Sequence, residues 1–303
     1  MTNAAILIPT LGAARHLPAL TAALARQRLR PRQVIVIDSS SSDATVALAR
    51  AAGWDVTVIP RSEFNHGGTR NRAARRCLAG IDVLVFMTQD ALPVDDDFLG
   101  NLVRPIVAGE AQAAFARQIP YPDAQLPEVF ARGLNYPAAP SRRTRADIDR
   151  LGIRAFFFSN VASAIDRATF DRLGGFPDDV VMNEDMLFCA KLLRDGGTVA
   201  YAAEAVVRHS HNYSIGQQFR RYFDIGAFLA ASGPLLAGAR SGGQGAAYVA
   251  RLLAWLVRRG AIDEVPRAVV ESAAKWLAFQ LGRRGDRLSR GLKRRLSLHR
   301  AYW

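Results

Sequence analysis

The chain has 303 residues, half of them apolar, which suits two domains or one large domain with an appendage and excludes a disordered, collagenous or disulfide-built protein. Its 40 Lys and Arg outnumber 27 Asp and Glu, and the net +13 calls for a negative counterpart such as nucleic acid, anionic lipid or a phosphorylated substrate. The excess is concentrated late in the chain: from Arg251 onward there are 13 basic residues against four acids.

Short β-type runs alternate with helical patterns over roughly the first 110 residues, the rhythm of an α/β sheet covered by helices. AAILIP predicts the first strand, and Leu17, Leu20 and Leu24 then repeat at helical spacing. VIVID (Val34 to Asp38) predicts a second strand, followed by four serines and a helix from Asp43 to Ala52. VTVI (Val56 to Ile59) and VLVFM (Val83 to Met87) predict two more, with a helix starting near Thr69 between them. Phe98, Leu99, Leu102, Val103 and Ile106 mark another amphipathic helix. Pro120 to Asp149 is rich in Pro and Arg with weak periodicity and reads as a long mobile excursion over a surface or a site. Ala155 to Ile165 predicts a strand, LGGF a turn, Glu184 to Arg194 a helix with Gly196 near its C-cap, and Thr198 to Tyr201 and Ala205 to Arg208 two short strands. Beyond Ser214 the pattern is helical, interrupted by a Gly-rich loop at Ser241 to Gly245.

Ligands of open α/β sheets bind outside the carboxyl ends of the strands, which makes Thr10, Asp38 with Ser39 to Ser42, and Thr88, Gln89 and Asp90 the first candidates. TLGAARHL is not the GxGxxG of a dinucleotide fold, so a Rossmann dehydrogenase is disfavoured. Asp38 reads as an acceptor for a nucleobase N–H or ribose hydroxyl, or as part of a capping loop. The serines read as caps of the following helix. Asp90 is placed to hold a divalent cation that bridges diphosphate oxygens, whereas Asp95, Asp96 and Asp97 read as acids at a helix N-terminus. FNHGGTRN (Phe64 to Asn71) joins paired glycines, a guanidinium and an amide where a helix begins, the pattern of an anion site or of a turn with a cap. Glu184 and Asp185 open a helix, as a cap or as a general base. His209 and His211 alternate on an extended segment, so their rings point the same way, as metal or diphosphate ligands or as a surface pair. Gln217, Gln218, Arg220, Arg221 and Tyr222 then give a donor-rich helical face.

These elements resemble the bacterial family 2 glycosyltransferases, and within them the rhamnosyltransferase-like branch that builds surface polysaccharides. The matching stretches are IDSSSSDAT, FNHGGTRN, TQDA, FSNVASAI followed by GGF and NED, QQFRRYFDIG and the terminal KRRLSLHRAYW, in family order over almost the whole chain. The resemblance implies a GT-A fold, a mixed Rossmann-like sheet flanked by helices, and an inverting single displacement on a nucleotide-diphosphate sugar. It implies that Asp38 contacts the nucleotide, that Thr10, Arg70, Asn71 and Gln89 help hold the donor, and that Asp90, supplemented by His209, binds Mg2+ or Mn2+. Asp185 with Glu184 would deprotonate the acceptor hydroxyl. Gln218 and Arg221 match a QxxRW element, with Tyr222 in place of Trp. The usual DxD is reduced to Thr88, Gln89 and a single Asp90.

The expected organisation is a catalytic domain over 1–233, with nucleotide-sugar binding in 1–117 and the acceptor side in 118–233, and a basic amphipathic helical region over 234–303. The expected donor is dTDP-L-rhamnose and the expected acceptor a lipid-linked glycan. Leu252, Leu253, Trp255, Leu256, Trp276, Leu277, Phe279, Leu288 and Leu292 among clustered arginines suit an anionic membrane interface, or else a helical cap with a basic rim. Ile225 to Ala239, the longest charge-free stretch, is 15 residues, short of the roughly 20 needed to span a bilayer. The start of the chain has no basic n-region, and Cys77 and Cys189 are too few for a disulfide framework, so a cytoplasmic enzyme, peripheral on the inner face of the membrane, is expected. Two other classes stay open: a nucleic-acid-binding module using the basic tail, although no nucleic-acid partner is expected, and a nucleotidyltransferase on the same sheet.

Overall fold

The computed structural model describes residues 2–233, 236 and 244–303. The Gly-rich stretch from Ser241 lies largely outside them, as does the 233/234 domain boundary; Gly245 belongs to a helix.

The first half alternates strand and helix as the apolar runs require: β1 Ala4–Thr10, α1 Leu17–Arg26, β2 Gln33–Asp38, α2 Thr45–Ala51, β3 Asp55–Val58, α3 His66–Arg75 and β4 Val83–Met87. After the two-residue β5 (Leu92–Pro93) come α4 Phe98–Val107, β6 Ala113–Ile119, α5 Leu126–Asn135, β7 Ser141–Arg143 and α6 Ile148–Leu151. Then follow β8 Ala162–Asp166, α7 Arg167–Arg172, α8 Glu184–Arg194, β9 Val199–Arg208 and four helices, α9 Ile215–Ala231, α10 Gln244–Arg258, α11 Val265–Arg283 and α12 Arg290–Leu296.

Among the described residues the strands form one mixed sheet, ordered β3-β2-β1-β4-β8-β6-β9-β5, with β7 also on β9. β1 is parallel to β2 and β4, and β6 is parallel to β9, while β8 runs antiparallel between β4 and β6. The carboxyl ends of β1, β2, β4, β6 and β9 therefore share one edge with the amino end of β8. Side chains alternate between two cores: Leu7, Ile35, Leu84 and Phe86 pack with Phe170, Phe176 and Phe188, and Ile6, Ile8, Val36 and Val85 pack with Leu17, Leu20, Phe98 and Leu102. Burial on both faces is why the central strands read as unbroken apolar runs.

Several expectations are corrected. The segment 120–149 carries α5, β7 and α6, and α5 is anchored by Leu126 and Phe130 against α10. Of Ala155 to Ile165 only the end is strand; a 3-10 turn and a loop precede it. The two short strands after Gly197 are one, β9, with a register shift between Ala116 and Arg117 where the break was expected. The serines do not cap α2, whose N-cap is Ala44; instead Asp43 accepts from Thr45 N–H. Asp95 to Asp97 do sit at the start of α4, where Asp96 and Asp97 pair with Arg26 and Arg28.

The late helices pack tightly on the sheet domain. A Cβ at Gly282 of α11 would lie 2.0 Å from Phe223 O of α9, and one at Gly226 2.3 Å from Phe279 O, so the crossing needs both glycines. The face of α11 away from α9 stays exposed at Val269, Val270, Trp276 and Leu277, with Trp276 66% exposed.

Candidate active site

Strand direction brings Thr10, Asp38, Gln89, Asp90, His209 and His211 to one sheet edge, at the point where the chain turns from β1 toward β2 on one side and β4 lies on the other, the usual ligand crevice of such sheets. A cleft of about 670 Å³ opens there, lined among others by Arg15, His16, Gln89, Asp90, Tyr121 and His211. Arg70, Asn71, Glu184, Asp185, Gln218 and Arg221 stand on α3, α8 and α9 and do not line it.

Asp90 follows β4, and His209 and His211 follow β9. Nε2 of each histidine lies 3.6 Å from Asp90 Oδ2, and one donor atom from each of the three residues falls within 4.8 Å of the others. The alternation on the extended segment is what turns both rings to Asp90. His211 also stacks on Tyr213 at 4.9 Å, and Arg221 lies 6.0 Å over that ring. Asn212 Oδ1 accepts from Gln125 N–H and Ser210 Oγ from Tyr121 N–H, which ties the histidine segment to the cleft wall. Burial alone would raise Asp90, but His209, Thr88 and His211 hold its carboxyl well below the usual carboxylate range. Burial, and then His209, lowers His211 to about 4, so its imidazole is neutral at pH 7, the form that ligates metal. One carboxylate and two imidazoles fit a divalent cation with open coordination positions.

Gln89, in the place of an acid, forms a two-point clamp: its Oε1 accepts from Leu11 N–H at 2.8 Å and its Nε2 donates to Leu11 O at 3.1 Å. A carboxylate could not make the second bond. Thr10 and Asp38 lie beneath the same loop. Asp38 is fully buried and accepts from Thr10 Oγ1 (2.8 Å), Ser41 Oγ (2.6 Å) and Ser41 N–H (2.8 Å), and Ser41 Oγ in turn accepts from Gly12 N–H. Asp38 thus organises the two loops and is not among the cleft-lining residues.

The second half of the site is Glu184–Asp185 at the start of α8. Asp185 Oδ2 accepts from Asn160 N–H at 2.9 Å and Oδ1 from Met186 N–H. Burial, with the adjacent Glu184 charge, pushes its carboxyl up to about 7, where a general base works at neutral pH. Burial would raise Glu184 too, but Arg70, 3.1 Å away, and His66 draw it down, and Asn160 Nδ2 donates to it at 3.1 Å. One carboxylate is held charged and its neighbour is pushed toward the proton, a division of roles set by environment. Val161 O accepts from Thr88 N–H, so the loop that holds Asp185 is bonded to the strand end that carries Asp90.

FNHGGTRN is not an open anion site. Asn65 caps α3 by accepting from Gly68 N–H, and a Cβ at Gly67 would meet Pro177 O at 1.9 Å, so Gly67 admits the turn before α8. Asn71 clamps that turn, donating to Phe176 O and accepting from Phe176 N–H. Gln217, which forms a capping box with Ser214, lines the cleft; its neighbour Gln218 is partly buried on α9. Sequence reasoning missed Arg15, His16 and Tyr121, whose setting in weakly patterned loops gave no signal.

Residues 5–174 match the family profile described as Glycosyl transferase family 2. The chain belongs to that family. Two relatives match nearly end to end: the O-antigen chain rhamnosyltransferase RfbN of Salmonella typhimurium, 39% identical over 98% of this chain and 95% of that one, and the O-antigen chain rhamnosyltransferase WbaN of Salmonella anatum, 37% identical over 93% and 89%. Among solved structures, a mannosyltransferase of Pyrobaculum calidifontis in complex with GDP-mannose and Mn2+ superposes with a TM-score of 0.64 over 94% of this chain and 88% of that one, at 19% identity. The fold of this family 2 member is therefore GT-A, with a C-terminal helical region. Glycosyl transfer is the activity that the family assignment selects among the three classes the sequence leaves open. No helix among the described residues is long and apolar enough to cross a membrane.

Proposed function

We propose that the protein transfers L-rhamnose from dTDP-L-rhamnose to a lipid-linked surface-polysaccharide acceptor, with inversion at the anomeric carbon. The observation that carries this reading is the bonded loop between the two halves of the site: Asn160 holds Asp185, and the next residue holds the strand end leading to Asp90. This bonded link supports a base and a cation-binding cluster acting on one substrate, as a single displacement on an activated sugar requires. The choice of rhamnose and of a polysaccharide acceptor is supported by the two rhamnosyltransferases similar along the whole chain.

In this mechanism Asp185 accepts the proton of the acceptor hydroxyl as that oxygen bonds to the anomeric carbon and the bond from this carbon to the diphosphate oxygen breaks. Glu184 stays charged on Arg70 and keeps the proton affinity of Asp185 high. A divalent cation held by Asp90, His209 and His211 would supply charge neutralisation to the departing nucleoside diphosphate. Two imidazoles beside one carboxylate favour Mn2+ over Mg2+, which prefers an all-oxygen shell. Asp38, Thr10, Gln89, Arg70 and Asn71 serve the donor indirectly, by fixing the loops on which it rests. Arg15, His16 and Gln217 line the cleft where the diphosphate and nucleoside would lie, and Arg221 stands over Tyr213, which lines it too.

The exposed stripe of α11, Val269, Val270, Trp276 and Leu277, runs toward Arg283, Arg284 and Arg287 and suits the surface of an anionic bilayer, where a lipid-linked acceptor resides. The test of the reading is a panel of nucleotide sugars with Mn2+ and a lipid-linked acceptor, assayed for nucleoside diphosphate release and for the anomeric configuration of the product. Release from dTDP-L-rhamnose alone, with inversion, is expected; preference for another donor or retention contradicts it.

A further inference from the structure

The cation cluster rests on a buried amide that the catalytic reading leaves without a role. Gln118 of β6 is 1% exposed, and its amide group is fully engaged. Nε2 donates to Tyr136 Oη at 2.7 Å and to Ser159 Oγ at 2.9 Å, and Oε1 accepts from Arg132 Nη1 and lies 3.0 Å from His209 Nδ1. Arg132 is itself held by Glu128 at 2.7 Å.

The chemistry of these partners fixes the orientation of the amide. A guanidinium has only donors, so the end of Gln118 that faces Arg132 must be the oxygen. That oxygen carries no hydrogen, so Nδ1 of His209 must be the donor across the 3.0 Å contact. With Nδ1 as the donor, the other ring nitrogen of His209, Nε2, is the one left facing Asp90 Oδ2, 3.6 Å away. A positive centre between Nε2 and that carboxylate oxygen, a shared proton or a cation, is what the two groups can hold together. Backbone geometry adds to the constraint: Gln118 pairs with Val207 in the β6–β9 ladder, and His209 N–H donates to Ile119 O just beyond it, which puts His209, two residues after Val207, on the same face as Gln118.

Gln118 also reaches the other half of the site. Ser159, to which it donates, precedes Asn160, the residue that holds both Asp185 and Glu184.

We infer that Gln118, oriented by Arg132, is a positioning residue that locks His209 in the Nδ1–H tautomer, presents Nε2 as a cation ligand, and ties that ligand to the loop carrying the base. The inference rests on the cation reading given above and deepens it. Outer partners of metal-bound histidines typically change metal affinity by roughly 10- to 100-fold when removed.

The test uses the full chain labelled with 15N-histidine. Long-range 1H–15N correlation spectra of the metal-free protein report the tautomer of each of the five histidines, with His209 assigned by its loss in His209→Gln. Wild-type protein should show His209 as Nδ1–H with an unprotonated Nε2. Gln118→Met should lose that signature and bind Mn2+ roughly 10- to 100-fold more weakly, read from the free Mn2+ signal in electron paramagnetic resonance. Gln118→Glu, which keeps an oxygen facing Arg132 and Nδ1, should restore both and serves as the control should the methionine variant fold poorly. An Nε2–H tautomer in the wild type overturns the inference and leaves the proposed transfer reaction standing, as does undiminished Mn2+ affinity in a folded Gln118→Met. A wild type with the Nδ1–H tautomer that binds no Mn2+ overturns the cation reading, and with it the role assigned to Gln118.

Discussion

Arg70 Nη1 lies 3.1 Å from Glu184 Oε1, and each side chain is only 5% exposed. The pair joins α3 to α8 directly behind Asp185, so its charge balance governs both folding and the base. Removing one partner leaves a buried charge without compensation, which typically costs about 3–5 kcal/mol. Arg70→Met should therefore lower stability by roughly that amount in urea unfolding, and Arg70→Met combined with Glu184→Leu should recover a large part of the loss.

The elevated carboxyl of Asp185 gives a pH dependence with a definite sign. The base must be ionised, so kcat should rise as pH increases through about 7 and level off above it. Stability runs the other way. Asp185 is harder to ionise in the folded chain than in the unfolded one, so the folded state holds the extra proton between about pH 4 and 7, and stability from this group is lost as pH rises across that window. Asp185→Asn should raise the melting temperature at pH 8 and leave it nearly unchanged at pH 4.

Gln89 occupies the position of an acid in the reduced DxD, yet both ends of its amide are bonded to Leu11. Gln89→Glu should lose the donor to Leu11 O and set a carboxylate against a carbonyl, at a cost of about 1–3 kcal/mol. If Gln89 is a clamp and not a ligand, this variant gains no Mn2+ affinity over the wild type in a titration.

The α9–α11 crossing depends on Gly226 and Gly282, where a Cβ would collide with backbone carbonyls and not with a movable side chain. Gly282→Ala should destabilise by about 1–3 kcal/mol or more, and limited proteolysis should release the α10–α12 region before the sheet domain is cut.

Binding to vesicles should follow the exposed α11 face. Flotation with phosphatidylglycerol should exceed that with phosphatidylcholine, and Trp276→Ser with Leu277→Ser should weaken it by at least about tenfold, since burying either side chain contributes on the order of 1.5–3 kcal/mol. Equal binding to both lipids would remove the basic rim from the account.

The strands VIVID and VLVFM were legible because both their faces are buried, and the alternation of His209 and His211 announced the shared direction of their rings. Asp90 and Asp185 stood out as acids at element ends. What the sequence hid were partners distant along the chain. Nothing near FNHGGTRN tells that Arg70 pairs with Glu184, or that Gly67 makes room for Pro177. The four serines follow a strand and precede a helix, so they read as caps, yet Ser41 bonds Asp38 and Ser40 bonds Ile59 O. Gln118 sits inside a strand between Arg117 and Ile119 without any local mark of its four partners.

The most direct test of the central claim is single-turnover transfer by wild type and Asp185→Asn with dTDP-L-rhamnose, a lipid-linked acceptor and Mn2+, alongside donor binding by each. The account predicts that Asp185→Asn binds the donor nearly as well as wild type and forms no product above background. Product formation by Asp185→Asn at a rate close to that of wild type would contradict it.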